Sequence, residues 1–213
     1  MKKFILFDLD GVLVDTEPWY FTAGQRALAE VGFALDRDEY VRGMSQGLGT
    51  WAQARAAGVD EETIGRQRRA RDAYYQEYLR TEPIEIEGAA EALAELSKHV
   101  RMAIVTTAKR ADFEVIDETR RIRQFMEFVL VREDYERAKP HPEPYLTGLR
   151  LLGATAEEAL VVEDSARGLS SAVAAGIDCV VVHNDFTRDH DFSRARYRID
   201  SLGELKDTVL GAS

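Results

Sequence analysis

Phe7-Asp8-Leu9-Asp10-Gly11-Val12-Leu13-Val14-Asp15-Thr16 decides the fold. It leaves an apolar run, Phe4-Ile5-Leu6-Phe7, and at once presents two carboxylates and a glycine. A run without polar alternation suits a parallel strand covered on both faces. Four similar runs follow at 102–105, 128–131, 159–162 and 179–182. Between them, amphipathic spacing predicts helices over 89–98, 111–122, 142–152 and 166–175. Ser165 is placed to cap the last of these and Gly176 to stop it. Strand–helix alternation predicts an α/β doubly wound parallel sheet with right-handed crossovers, a Rossmann-like architecture.

One gap breaks the alternation. About ninety residues separate the first strand from the second, too many for a plain connection. The stretch reads as helices: 18–31 ending at Gly32, one opening at the box-like Asp36-Arg37-Asp38-Glu39, 50–57 ending at Gly58, and 61–79. An inserted helical domain is therefore expected at 16–83, with the core formed by 1–15 and 84–213. The basic run 65–71 reads as a solvated helix face. The segment Gly43-Met44-Ser45-Gln46-Gly47-Leu48-Gly49 reads as a mobile interhelical loop, with Trp51 close behind it.

Lys and Arg total 28 against 38 Asp and Glu, a formal net charge of −10. That field disfavours nucleic acid and anionic membrane surfaces, and it means that an anionic substrate needs a local cation. No apolar run approaches membrane-spanning length, and no signal peptide is read at the start. Cys179, the single cysteine, allows no internal disulfide, so a cytoplasmic protein is expected, as a monomer or weak homodimer.

Asp8 and Asp10 fall where the first strand ends, the edge at which open α/β sheets bind ligands. On an ideal strand, residues two apart share a face, so the two carboxylates can converge. A calcium loop also begins Asp-x-Asp-Gly, but Val12, Leu13 and Val14 follow in place of oxygen ligands. Thr106-Thr107 ends the second run, Lys139 precedes two prolines in Lys139-Pro140-His141-Pro142, and Glu163-Asp164-Ser165 ends the fourth run. Phosphoryl transfer calls for this inventory. A carboxylate attacks phosphorus, a second carries protons, hard oxygens hold magnesium, and Lys and hydroxyl groups steady the phosphoryl oxygens. Four acids facing a phosphate beside one lysine would repel it, so the pattern argues for a bound Mg2+.

With all four motifs in order from Phe4 to about Leu205, the sequence resembles the haloacid dehalogenase superfamily of phosphohydrolases. The resemblance implies sheet order 3-2-1-4-5 and a helical cap that closes over the site and selects the substrate. It implies Asp8 as nucleophile, Asp10 as general acid/base, and Thr106, Thr107 and Lys139 as phosphate ligands. It assigns magnesium to Asp8, the Asp10 carbonyl, Asp164 and, directly or through water, Glu163. Leu13-Val14-Asp15-Thr16-Glu17 and the stretch from Glu163 to Gly176 are similar to the branch of phosphoglycolate phosphatases, sugar-phosphate phosphatases and β-phosphoglucomutase. The mutase carries a His in the first cap helix and an Arg in the cap loop, where this chain has Tyr20 and Gln46. A phosphatase acting on a small phosphorylated metabolite is thus the first expectation and a sugar-phosphate mutase the second. A phospho-accepting signalling domain is the third. Gln46, Trp51 and Lys109, with Arg110, are the candidates for substrate selection.

Overall fold

The computed structural model describes residues 2–46 and 50–210. β1 (Phe4–Phe7) opens the chain. The next stretch carries α1 (Glu17–Ala29), α2 (Arg37–Gln46), α3 (Ala52–Ala56) and α4 (Glu61–Thr81). There follow α5 (Ala89–Leu96), β2 (Arg101–Val105), α6 (Arg110–Arg120), β3 (Val129–Leu130), α7 (Glu143–Leu152) and β4 (Ala159–Glu163). The chain ends with α8 (Ala166–Ala174), β5 (Asp178–Val182), β6 (Tyr197–Ile199) and α9 (Leu205–Leu210). The chain divides into two compact units, one running to Asp15 and resuming at Ile84, the other Thr16–Pro83.

In the first unit, six parallel strands form one sheet in the order β3-β2-β1-β4-β5-β6. This is the expected α/β fold and order, extended by β6. Tyr197 and Arg198 of that strand are exposed and only Ile199 is buried, so no apolar run announced it. Leu6, Ala103, Val105, Leu130, Val161 and Val181 form one hydrophobic cluster with Tyr145 and Leu149 of α7 and Leu169 and Ala172 of α8. Their strand neighbours Ile5, Met102, Ile104, Leu160, Val162 and Val180 are buried too, which is why these strands read as unbroken apolar runs. Where the chain leaves and re-enters this unit, Asp15 N–H donates to Ile84 O at 2.8 Å and Val14 bridges Glu85 antiparallel. The exit and return lie side by side, so an insertion here leaves the sheet continuous.

The second unit is helical. Ala23, Ala27 and Leu28 of α1 and Ile64, Tyr75 and Leu79 of α4 are buried. Tyr20 meets Tyr75 edge-on with ring centroids 5.1 Å apart. Asp60 caps α4 by accepting from Thr63 N–H, and Asp36 Oδ1 accepts from Glu39 N–H at 3.0 Å at the start of α2. Two expectations change here. Helix α2 runs through Gly43 to Gln46, so the first four residues of the glycine-bearing segment are helical. One interior glycine costs only about 1 kcal/mol, and neighbouring residues outvote it. Gly47, Leu48, Gly49 and the side chain of Gln46 lie outside the described residues. Arg71 is the other departure, since it is buried with its guanidinium 4.7 Å over the Tyr20 ring rather than on a solvated face. Trp51 is 2% exposed within this unit.

Candidate active site

The register places the chemistry. Phe7 lies level with Ile104 of β2 and Val162 of β4. One residue further along, Asp8, Val105 and Glu163 therefore come abreast at the carboxyl edge, with Thr106 next. Asp8 N–H still bonds Val162 O at 2.9 Å, which fixes its backbone, and Asp8 Oδ1 accepts from Leu9 N–H at 2.8 Å. Its side chain is almost wholly buried.

Lys139 is the cation of the site. Its ammonium, 3% exposed, lies 3.1 Å from Asp8 Oδ1 and donates to Glu163 Oε1 at 2.7 Å. Burial by itself lowers its pKa, but Asp8 and Glu163 outweigh that and raise it, so the charge persists. Two bonds from α8 hold the backbone of this loop: Arg167 Nη2 donates to Lys139 O and Ser171 Oγ to His141 O, each at 2.6 Å. Burial also pushes Asp8 up, to about 7; Glu163 and Asp10 add to the rise, while Lys139 and the Leu9 amide oppose it.

Glu163 is fully buried and both of its oxygens are engaged. Oε1 accepts from Lys139 and from Tyr145 Oη at 2.6 Å, and Oε2 accepts from Ser165 Oγ at 3.1 Å. Ser165 Oγ in turn accepts from Gly168 N–H at 3.0 Å, capping α8. The carboxylate lies against Gly168, where a Cβ would sit 1.8 Å from its Cδ. Gly11 is as constrained. Its φ is +75°, and a Cβ there would lie 2.1 Å from Asp164 Oδ2 and 2.7 Å from Asn184 Nδ2.

Asp10 departs from the simple strand picture. β1 ends at Phe7, and residues 9–14 wind into a turn, with Leu13 N–H bonded to Leu9 O at 2.8 Å and Gly11 N–H to Val14 O at 2.8 Å. Asp8, Glu163 and Asp164 offer carboxylate oxygens within 4.8 Å of one another, and Asp10 lies close enough to Asp8 to raise its pKa, with Thr106 Oγ1 3.4 Å from Asp10 Oδ2. Thr106 is fully buried, whereas Thr107 is exposed. Tyr135, which carried no signal in the sequence beyond an aromatic ring, donates its hydroxyl to Thr106 O at 2.7 Å. Lys109 and Arg110 are exposed at the start of α6, and Arg110 pairs with Asp134 at 2.5 Å. Tyr145 and Asn184 were likewise not singled out in the sequence.

The donor set fits a hard divalent cation. Asp8, Glu163 and Asp164 are buried and offer oxygens within 4.8 Å of one another, with Asp10 adding charge nearby. Among the described residues Lys139 is the lysine that faces this group, and the Asp8 pKa is raised first by burial and then by the neighbouring Glu163 and Asp10 charges. Asp8, Glu163 and Asp164 are the carboxylates that could hold such an ion. Among the described residues, no helix is long and apolar enough to cross a membrane.

Comparison with known proteins gives the arrangement a lineage. The haloacid dehalogenase-like hydrolase family matches residues 5–182. A phosphorylated carbohydrates phosphatase of Thermotoga maritima is 29% identical, over 84% of this chain and 85% of its own length. Protein CbbY of Rhodobacter capsulatus is 27% identical over 94% and 93%. A crystal structure of a substituted CbbY from Rhodobacter sphaeroides, in complex with xylulose-(1,5)bisphosphate, superimposes with a TM-score of 0.85 at 28% identity, covering 96% of each chain.

Proposed function

Because the chain belongs to the haloacid dehalogenase-like hydrolase family, we propose that it is a magnesium-dependent phosphatase of small phosphorylated metabolites, working through a phosphoaspartate at Asp8. The observation that carries this reading is the meeting of Asp8 and the Glu163–Asp164 pair, at the ends of the adjacent strands β1 and β4, with Lys139 from the loop before α7. Asp8 Oδ1, held by the Leu9 amide and Lys139, attacks the phosphorus and displaces the alcohol of the substrate. Asp10 gives a proton to that leaving oxygen, then takes one from the water that hydrolyses the phosphoaspartate. Thr106 and Lys139 steady the phosphoryl oxygens as charge shifts onto them. Asp8 and Asp164 would hold the magnesium ion, which when bound would supply positive charge to neutralise carboxylates and phosphate alike.

The Thermotoga maritima relative is a phosphatase of phosphorylated carbohydrates, which supports a sugar-phosphate substrate. Tyr20, packed on Tyr75 and Arg71, stands where the mutase reading calls for a histidine, so water rather than a sugar hydroxyl is the phosphoryl acceptor. The test is turnover of a generic aryl phosphate and of a panel of sugar phosphates with magnesium. Chelator should abolish turnover, magnesium should restore it, and calcium, with its larger and looser shell, should support it poorly. Full activity in excess chelator, or no release of inorganic phosphate from any member of the panel, would overturn the reading.

A further inference from the structure

Tyr145 is the largest fully buried side chain of the described residues and lies in the first turn of α7, six residues after Lys139. Its ring belongs to the cluster beneath the sheet, with Leu6, Val105 and Leu149. For packing alone a phenylalanine would serve, and a buried hydroxyl without a partner would be a cost. Here the hydroxyl donates to Glu163 Oε1 at 2.6 Å, the same oxygen that takes the Lys139 ammonium at 2.7 Å. The Lys139 Nζ lies 4.8 Å from the centre of the Tyr145 ring, so the cation is also seated against that aromatic face. Burial, Glu163 and Asp8 all push the phenol pKa well above its ordinary value, so the proton stays on Tyr145 and the direction of the bond is fixed.

We propose that Tyr145 is a positioning residue for phosphoryl transfer: its hydroxyl shares the demand of Glu163 for protons, so that Lys139 can be divided between Glu163 and Asp8. The geometry is a relay of one oxygen and two donors. With Tyr145 and Ser165 bonded to it, Glu163 is locked in place and partly satisfied, and the ammonium keeps its 3.1 Å approach to Asp8. Without the phenol proton, Glu163 Oε1 draws on Lys139 alone, and the ammonium is less available to the reacting oxygens. A charged hydrogen bond is the kind whose loss is felt strongly at a buried site. This assignment rests on the proposed role of Lys139 in phosphoryl transfer.

The experiment is a double-mutant cycle with Tyr145→Phe and Glu163→Gln, read as kcat and KM on an aryl phosphate with magnesium. Tyr145→Phe keeps the ring and should lower kcat about tenfold while KM moves less than about twofold. In the Glu163→Gln background the same change should cost less than about twofold, because the carboxylate through which Tyr145 acts is gone. An equal tenfold loss in both backgrounds would mean that the Tyr145 hydroxyl does not act through Glu163, and a wild-type kcat in Tyr145→Phe would mean that it does not act at all; either overturns the assignment. Inhibition by orthovanadate, read on the Tyr145→Phe protein alone, covers the case of a Glu163→Gln protein too slow or too unstable to assay. Its inhibition constant should rise about tenfold, and an unchanged constant overturns the assignment. Wild-type protein inactive on every phosphate ester would instead bring down the phosphatase reading, and this assignment with it.

Discussion

The two units handle charge in opposite ways. In the helical unit most charged side chains meet at the surface: Arg55 pairs with Glu61 at 2.6 Å and Arg66 with Glu62 at 2.9 Å, all four largely exposed. Such pairs contribute about 0–1 kcal/mol and can be exchanged freely. At the sheet edge of the other unit, Asp8, Lys139, Glu163 and Asp164 are buried together, and each donor has an assigned acceptor. Burying them is costly unless geometry and bonding are complete, so a fold keeps such a group where function requires it. The contrast locates the chemistry in the sheet unit and leaves the helical unit to other tasks.

The strongest way to break the contrast is to remove one charge on each side. Asp8→Asn should lower turnover at least about a thousandfold, several kcal/mol in barrier, as steady-state kinetics on an aryl phosphate would register. Arg55→Ala should leave the rate unchanged and shift stability by less than about 1 kcal/mol. A tenth of wild-type activity retained in Asp8→Asn would contradict the contrast.

Glycines sharpen it next. Gly168→Ala drives a methyl into the Glu163 carboxylate, which its three donors hold in place, and should cost about 1–3 kcal/mol in denaturant unfolding together with activity. Gly65→Ala, in α4, meets only the far end of Arg69 at 3.8 Å and should stabilise by about 0.5–1 kcal/mol. Equal effects at the two positions would show the sheet edge to be no tighter than a surface helix.

The two N-caps give a finer comparison. Asp60→Ala should cost about 1 kcal/mol and leave kcat alone, since Asp60 bonds Thr63 within the helical unit. Ser165→Ala should cost a similar amount and also reduce kcat severalfold, because Ser165 Oγ donates to Glu163 as well as accepting from Gly168. Measuring stability and rate on both variants separates capping from the site.

Much of this was legible in the sequence, and what was not has particular causes. Phe4–Phe7, Ala159–Glu163 and Asp178–Val182 announced themselves because both faces of each strand are buried nearly throughout. β6 did not, because two of its three side chains face solvent. The motif residues could be named from their order along the chain, but their partners could not. Tyr145 and Tyr135 look in sequence like core aromatics, and only the tertiary fold aims their hydroxyls at Glu163 and Thr106. Asp10 was expected on the strand, which in fact ends at Phe7; it lies in the turn that follows, with Thr106 Oγ1 3.4 Å from its Oδ2. In the helical unit, the reading of 43–49 as a loop missed the run of α2 to Gln46.

A smaller effect concerns pH. Asp8 in the folded protein titrates at about 7 against 3.8 for a free carboxyl, raised chiefly by burial. The neutral acid thus favours the fold fully below about pH 4, and that contribution is lost as pH rises towards 7. Magnesium favours the ionised form, so its stabilising shift in Tm should be larger at pH 8 than at pH 5.5. A shift independent of pH would argue that Asp8 is not among the ligands. Smaller still is the effect expected at Gln46: Gln46→Ala should alter the ranking of sugar phosphates or raise KM for the best one, and change aryl phosphate hydrolysis far less. Equal losses on both would assign Gln46 to the fold of the helical unit rather than to substrate selection.

The central claim is that the sheet edge transfers a phosphoryl group onto Asp8. Mixing enzyme and magnesium with a substrate carrying a radiolabelled phosphoryl group, quenching in acid within a turnover and mapping the labelled peptide tests it directly. The account predicts acid-stable label in the peptide containing Asp8, absent from the Asp8→Asn protein. Continued turnover with no protein-bound label, or label confined to another residue, would contradict it.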